Sequence, residues 1–451
     1  MRYHSTNGRA LEVDLAGALL AGQAPDRGLY LPTEIPRLDA GLLARARDLP
    51  YPDLAIEMLA PYAAGVFTRD ELGEICHDAY DFAVPLEHVT GRAHVMRLDQ
   101  GPTASFKDFA ARFMGRALGK LVRDRGQRLL ILTATSGDTG SAVAHAFLGV
   151  EGIEVLVLFP REEISDRQRR QMTTLGDNVA TMAVDGKFDD CQAMVKRAFA
   201  DPDLTDLHLS SANSINIGRL LPQSVYYVYA AARLADVAGG EQVVFAVPSG
   251  NFGDLMGGVL AMHGGLPVAR FVVATNANDE VPRYLETGEY AKIEPSRVCI
   301  SNAMNVGHPS NLARLVALYG GQMDETGQIA DAPDLDAMRR DFHATSVDDD
   351  ETRATIGRVH RDHGVVLEPH GAVGWCGLER FLAAEPDHAD LVAISLETAH
   401  PAKFPEAVRE ITGHDPDLPP SLEGLDQRDE LYGALEVDYA AFKDHLQGEY
   451  R

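Results

Sequence analysis

From about residue 91, short apolar runs bounded by turn residues alternate with segments whose apolar positions recur at helical spacing. This alternation constrains the fold more than any other feature of the chain. HVMRLD (94–99) and LLILTAT (129–135) predict buried strands, and DFAARFMGRALGKLV between them predicts a helix. Helix SAVAHAFLG, strand EVLVLFP, a helix around ISDRQRRQMTTLG, strand VATMAVD, helix DDCQAMVKRAFA and strand LHLSS follow. QVVFAVP (242–248) and ARFVVAT (269–275) flank helix DLMGGVLAMHG, and LVAISL (391–396) is the last predicted strand. Strands separated by helices of this length specify an α/β fold with parallel sheets. The acidic run Asp348-Asp349-Asp350-Glu351 suits a helix N-terminus, where carboxylates meet the positive end of the dipole.

A length of 451 residues sets a prior of two to three domains. Residues 1–90 mix short helical patterns with proline turns and predict a small N-terminal domain. Residues 91–405 predict the α/β domain in two lobes, the smaller spanning roughly 130–212. A Pro-rich acidic tail, 406–451, is expected to pack on the large lobe. The four cysteines (Cys76, Cys191, Cys299, Cys376) lie far apart and suggest reduced thiols. With no basic-then-apolar leader and no run long enough to span a bilayer, the expectation is a soluble, cytoplasmic protein with no membrane partner. Lys+Arg total 41 against 67 Asp+Glu, a net charge of −26, which disfavours nucleic acid because phosphate contacts need clustered cations. Lysine is scarce. Chemistry needing a primary amine has only Lys107, Lys120, Lys187, Lys196, Lys292, Lys403 and Lys443 to choose from.

Three segments carry candidate chemistry. In GPTASFKDFAARFMG, Lys107 sits where a Gly-Pro turn becomes an amphipathic helix. Ala104, Phe106, Phe109 and Ala110 could wall it from water, which lowers an amine's pKa and lets it attack a carbonyl. The alternative is an ordinary helix-start lysine reaching solvent. In LTATSGDTGSAVAHAF, a strand runs into Ser136, Asp138 and Thr139 at a helix start. That arrangement forms either an anion site or a capping turn in which Ser136 or Asp138 satisfies the helix amides. In FAVPSGNFGDLMGG, Gly250, Asn251, Phe252, Gly253 and Asp254 open another helix, and two glycines let the backbone fold closely around a phosphate. The string matches neither a P-loop nor a dinucleotide fingerprint. Two anion cradles beside one sheltered lysine describe a site for pyridoxal phosphate, an aldehyde held as a lysine imine. No His/Cys/Asp cluster has metal-ligand spacing, so no metal is expected.

The strings GPTASFKDF, LTATSGDTGSAVAHAF, SANSINIGRLLPQ, VPSGNFGDL, SNAMNVGHPSN, LEPHGAVG and TAHPAKF closely resemble the threonine synthase family, in the family's order, across about residues 90–405. The resemblance implies the tryptophan-synthase-β-like fold (fold type II) with two parallel-sheet lobes. It also implies pyridoxal 5'-phosphate as cofactor and conversion of O-phospho-L-homoserine and water to L-threonine and phosphate. Carried over by motif, Lys107 binds the cofactor, Gly250, Asn251, Phe252 and Asp254 grip its phosphate, and Thr398 meets its pyridine nitrogen. For the substrate, Ser136 and Thr139 are assigned to the carboxylate and Arg219 to the phosphate, with Lys403 as its rival. His308, His370 and His400 are read as structural or supporting. The chain departs from the family at Gln100 and Asn7, where many members carry His and Arg. A phospholyase or dehydratase releasing a 2-oxo acid, and a non-catalytic phospho-ligand binding protein, are the competing readings.

Overall fold

The computed structural model describes residues 1–135 and 137–451. At the N-terminus, Tyr3–Ser5 pairs antiparallel with Tyr30–Pro32, and helices Leu15–Ala21, Ala40–Ala46, Tyr51–Ala63 and Arg69–Ala79 follow. Thr68 and Glu71 close a capping box on the last of these, satisfying two helix-end amides reciprocally. Leu54, Met58, Leu72 and Ile75 bury in the same apolar cluster as Phe109 and Phe113. The N-terminal region is therefore packed against the α/β body and shares its core.

The principal elements then run β1 (Leu86–Thr90), β2 (Ala93–Arg97), α1 (Lys107–Arg125), β3 (Leu129–Ala134), α2 (Asp138–Phe147), β4 (Ile153–Pro160), α3 (Asp166–Thr173), β5 (Val179–Val184), α4 (Phe188–Phe199) and β6 (Leu209–Ser210). They continue as α5 (Gln223–Leu234), β7 (Val243–Pro248), α6 (Gly253–Gly264), β8 (Val268–Thr275), β9 (Phe342–Ser346), α7 (Pro369–Ala384), β10 (Val392–Glu397), β11 (Gly433–Leu435) and α8 (Tyr439–Tyr450). The larger sheet has the order β9-β8-β7-β10-β2-β1 and is parallel except for the β1–β2 hairpin. The smaller sheet, β11-β5-β4-β3-β6, is parallel throughout. Every residue of β3, β7 and β10 is buried, as sheets covered on both faces require. The acidic run at 348–351 does start a helix, Asp349–His363, with Asp348 and Glu351 forming its capping box.

The tail divides. Helix Pro405–Thr412 packs on the large-lobe helix Asp349–His363, with Ile411 against that lobe's apolar cluster and Arg353 donating to Glu410 at 2.9 Å. The remainder departs from expectation. It crosses to the smaller sheet, where β11 pairs with the edge of β5 and Phe442 and Leu446 of α8 bury among small-lobe residues such as Met194 and Val195. An open strand edge and an apolar helix face are satisfied together there. On the way, Leu422 and Leu425 pack with Ala104 and Ala402, between the two lobes.

Candidate active site

The site lies at the C-terminal ends of β3, β7 and β10, where open parallel sheets present their loops to ligands. Lys107 is the first residue of α1, and two backbone links place it. The Phe106 amide donates to the Thr398 carbonyl at 2.9 Å, and the His400 amide donates to the Ala104 carbonyl at 3.0 Å. The turn before α1 is thus stitched to the chain leaving β10. The Lys107 side chain is 14% exposed, its Nζ 4.6 Å from the centre of the Phe106 ring. Burial pushes its amine below the ordinary lysine value; Asp138 opposes that shift, while Lys403 and Arg219 reinforce it.

Asp138, the first residue of α2, faces both amines. Its Oδ1 accepts from Lys403 Nζ at 2.7 Å and from Gln168 Nε2 at 3.0 Å, and its Oδ2 stands 3.8 Å from Lys107 Nζ. Burial acts to raise this carboxyl, but Lys403 and Lys107 outweigh it and hold it below the usual carboxylate range. Asp138, one of the two residues considered for capping from sequence, is turned to the lysines instead. Thr135 Oγ1 accepts from the amides of Gly137 (2.9 Å) and Gly140 (2.8 Å), so a residue at the strand end closes the turn. Thr139 lies half-buried in the first turn of α2. Ser136 lies outside the described residues.

The second turn is built differently. Phe252 caps α6 in the left-handed conformation at φ 62° and is buried. Gly250 must lack a side chain, because a Cβ there would stand 2.8 Å from Met304 Cα. Asn251 Oδ1 accepts from the Ser310 amide (3.0 Å) and hydroxyl (3.1 Å), and its carbonyl accepts from Asn311 Nδ2 at 3.0 Å. Asp254 turns inward. Its Oδ1 accepts from the hydroxyls of Tyr226 (2.6 Å) and Tyr227 (2.7 Å), and burial pushes its carboxyl up to about 6. A carboxylate facing a phosphate would repel it, so the inward turn leaves the backbone of this loop to meet an anion.

Arg219 is buried, with Nη1 donating to the Ala212 carbonyl at 2.5 Å. Its Nε has no partner among the described residues, and burial lowers its pKa to about 10. Thr398 Oγ1 approaches Glu368 Oε1 at 3.4 Å. Glu368 is the N-cap of α7 and accepts from His370 Nδ1 at 2.5 Å, while His370 Nε2 accepts from the Ala303 amide at 3.0 Å. Both His370 contacts are defined only if Nδ1 carries the proton. Through this chain of contacts, α7 holds the 301–304 segment against Gly250, a connection that sequence reading left unassigned. Gln100 Nε2 donates to Asp99 Oδ1 at 2.7 Å, and Asn7 Nδ2 donates to the Asp26 carbonyl (2.9 Å) and Glu325 Oε2 (3.2 Å). His308 pairs through Nδ1 with the Tyr290 hydroxyl at 2.7 Å and through Nε2 with the Glu325 carbonyl at 3.1 Å. Among the described residues no group of His, Cys, Asp or Glu is placed to hold a metal ion, and no helix is long and apolar enough to cross a membrane.

A buried guanidinium whose Nε has no partner among the described residues, two sheltered amines sharing one carboxylate, and a turn whose Gly250 has no room for a side chain fit a cofactor that carries both an aldehyde and a phosphate. This is the fold and site of a pyridoxal-phosphate-dependent enzyme, and residues 84–397 match the family described as "Pyridoxal-phosphate dependent enzyme". Flanking segments match "Threonine synthase N terminus" (2–80) and "Threonine synthase, C-terminal" (371–446). The threonine synthase of Pseudomonas aeruginosa is 38% identical over 98% of this chain and 97% of its own length. A crystal structure of pyridoxal-phosphate-bound threonine synthase from Brucella melitensis superimposes with a TM-score of 0.93 at 36% identity, covering 100% of both chains. The Escherichia coli threonine synthase structure does so at 0.88 and 37%, over 99% of this chain and 100% of that one. The chain belongs to the threonine synthase family, a group of pyridoxal-phosphate-dependent lyases.

Proposed function

We propose that this chain converts O-phospho-L-homoserine and water to L-threonine and phosphate in the cytoplasm. The observation that carries the substrate assignment is a cluster of sheltered cations: Lys403 and Arg219 lie in electrostatic reach of Lys107, with Asp138 against the two amines. Such a pocket suits two phosphate-bearing molecules. When bound, pyridoxal phosphate supplies a carbonyl carbon for an amine and an electron-withdrawing ring that disperses negative charge.

Lys107 Nζ is the amine that would hold the cofactor's carbonyl carbon, and as a free amine it is the base placed to take the proton from substrate Cα. The amides of Gly250, Asn251 and Phe252 would hold the cofactor phosphate, and the hydroxyl of Thr398 would meet the ring nitrogen. Asp254 supports this turn from beneath through Tyr226 and Tyr227. Ser136 and Thr139 are assigned to the substrate carboxylate at the start of α2, where amides and dipole favour an anion. Arg219 presents its unsatisfied Nε edge to the substrate phosphate and stays with it as the carbon–oxygen bond breaks. Sheltering by both lobes keeps water from the reacting carbons until the addition step.

Incubation with O-phospho-L-homoserine, following phosphate and threonine together, tests the reading. Equal release of both by the wild type, and of neither by Lys107→Ala, is the expected result. Phosphate accompanied by 2-oxobutyrate without threonine would assign the chain to the phospholyases instead.

A further inference from the structure

Asp138 is shared unequally. Lys403 Nζ is fully buried, donates to Asp138 Oδ1 at 2.7 Å and to the Thr103 carbonyl at 2.9 Å. Lys107 Nζ, at 3.8 Å from Oδ2, lies beyond hydrogen-bond range of the same carboxylate. Lys107 therefore has a counter-ion within sight but not in contact. It also faces Lys403 on the turn after β10 and Arg219 on the turn before α5, with Glu368 at the start of α7 as the more distant acid. Lys403 in turn has Asp108 of α1 and His400 of its own turn in electrostatic reach. A lysine amine is made reactive by desolvation or by a neighbouring cation, and both conditions meet at Lys107. The carboxylate comes from the small-lobe helix α2, whereas Lys403 comes from the chain leaving the larger sheet.

We propose that Lys403 is a positioning residue that keeps Lys107 reactive, by holding Asp138 in direct contact and so denying Lys107 a close counter-ion. The proposal takes Lys107 as the reacting amine, as above. Removing Lys403 frees Asp138 to pair with Lys107, which stabilises the ammonium form. Removing the carboxylate charge instead leaves Lys107 among cations only, which destabilises that form.

The test labels the full chain with [6-13C]lysine, releases any bound cofactor with hydroxylamine, and follows the Lys107 signal against pH, assigned by its loss in Lys107→Arg. The chain has seven lysines, so the spectrum is sparse. Lys403→Met is expected to raise the Lys107 midpoint by about one pH unit, a roughly tenfold loss of free amine at fixed pH. Asp138→Asn, which keeps an acceptor for Lys403, is expected to lower it. An unchanged or lowered midpoint in Lys403→Met overturns the proposal. Should that variant not fold, Lys403→Leu is read in its place, with the same expected and overturning outcomes. The midpoint is read without substrate or turnover, so it can fail while the product analysis succeeds, and the reverse.

Discussion

The two strand-to-helix turns at the site, β3 into α2 and β7 into α6, look alike in sequence: each has Ser-Gly ahead of an Asp in the first helical turn. Their aspartates are shifted in opposite directions. Asp138 meets two ammonium groups and is held ionised, whereas Asp254 meets two tyrosine hydroxyls and is pushed up to about 6. Burial is nearly the same for both, so the counter-charge decides. The lesson is that a helix-start carboxylate is the partner of ammonium groups in one turn and of neutral hydroxyls in the other, for reasons that lie in distant segments.

Asp138→Ala strikes at this difference hardest. It strands the fully buried Lys403, and a loss of about 3–5 kcal/mol is expected in denaturant unfolding. A loss below about 1 kcal/mol would mean that Lys403 finds another partner and that the two turns differ less than described. Gly250→Ala tests the other turn. Its new Cβ would press on Met304 Cα, costing about 1–3 kcal/mol and loosening the cofactor, both visible as a lower Tm and weaker cofactor absorbance after dialysis.

The smallest expected effect is in the pH dependence of stability, where the two aspartates carry opposite signs. Asp138 titrates lower folded than unfolded, so its stabilisation is present above the ordinary carboxyl range and lost as pH falls through the folded value. Asp254 titrates higher folded, so its contribution is complete below the ordinary value of 3.8 and lost as pH rises through about 6. Relative to the wild type, Asp254→Asn should remove a decline in Tm between pH 4 and 6, and Asp138→Asn a decline on acidification below pH 4. Parallel Tm profiles for the two variants would erase the distinction.

Much of the fold was legible because buried parallel strands are continuous apolar runs, as in LLILTA, VVFAVP and VAISLE. β9 (FHATS) and β11 (GAL) were not, since one is polar and half-buried and the other only three residues long. Both are edge strands that exist because a neighbour offers an unpaired edge. The same holds for the tail, whose course over the smaller sheet follows from β5 and has no local sign. At the site, Lys107 and the two glycine-bearing turns were visible as local patterns. The capping by Thr135, the inward turn of Asp254 and the His370–Ala303 contact were not, because each depends on direction or on a partner far along the chain.

By itself, then, the sequence determined the alternating elements, the scarcity of amines and the small-residue turns, because these follow from side-chain periodicity, composition and backbone sterics. Only the tertiary structure decided which lysine shares Asp138 at contact distance and which waits beyond it, a difference between 2.7 and 3.8 Å. Electrostatic interaction in a dry site depends on such distances and on burial, and neither is a local property of the chain.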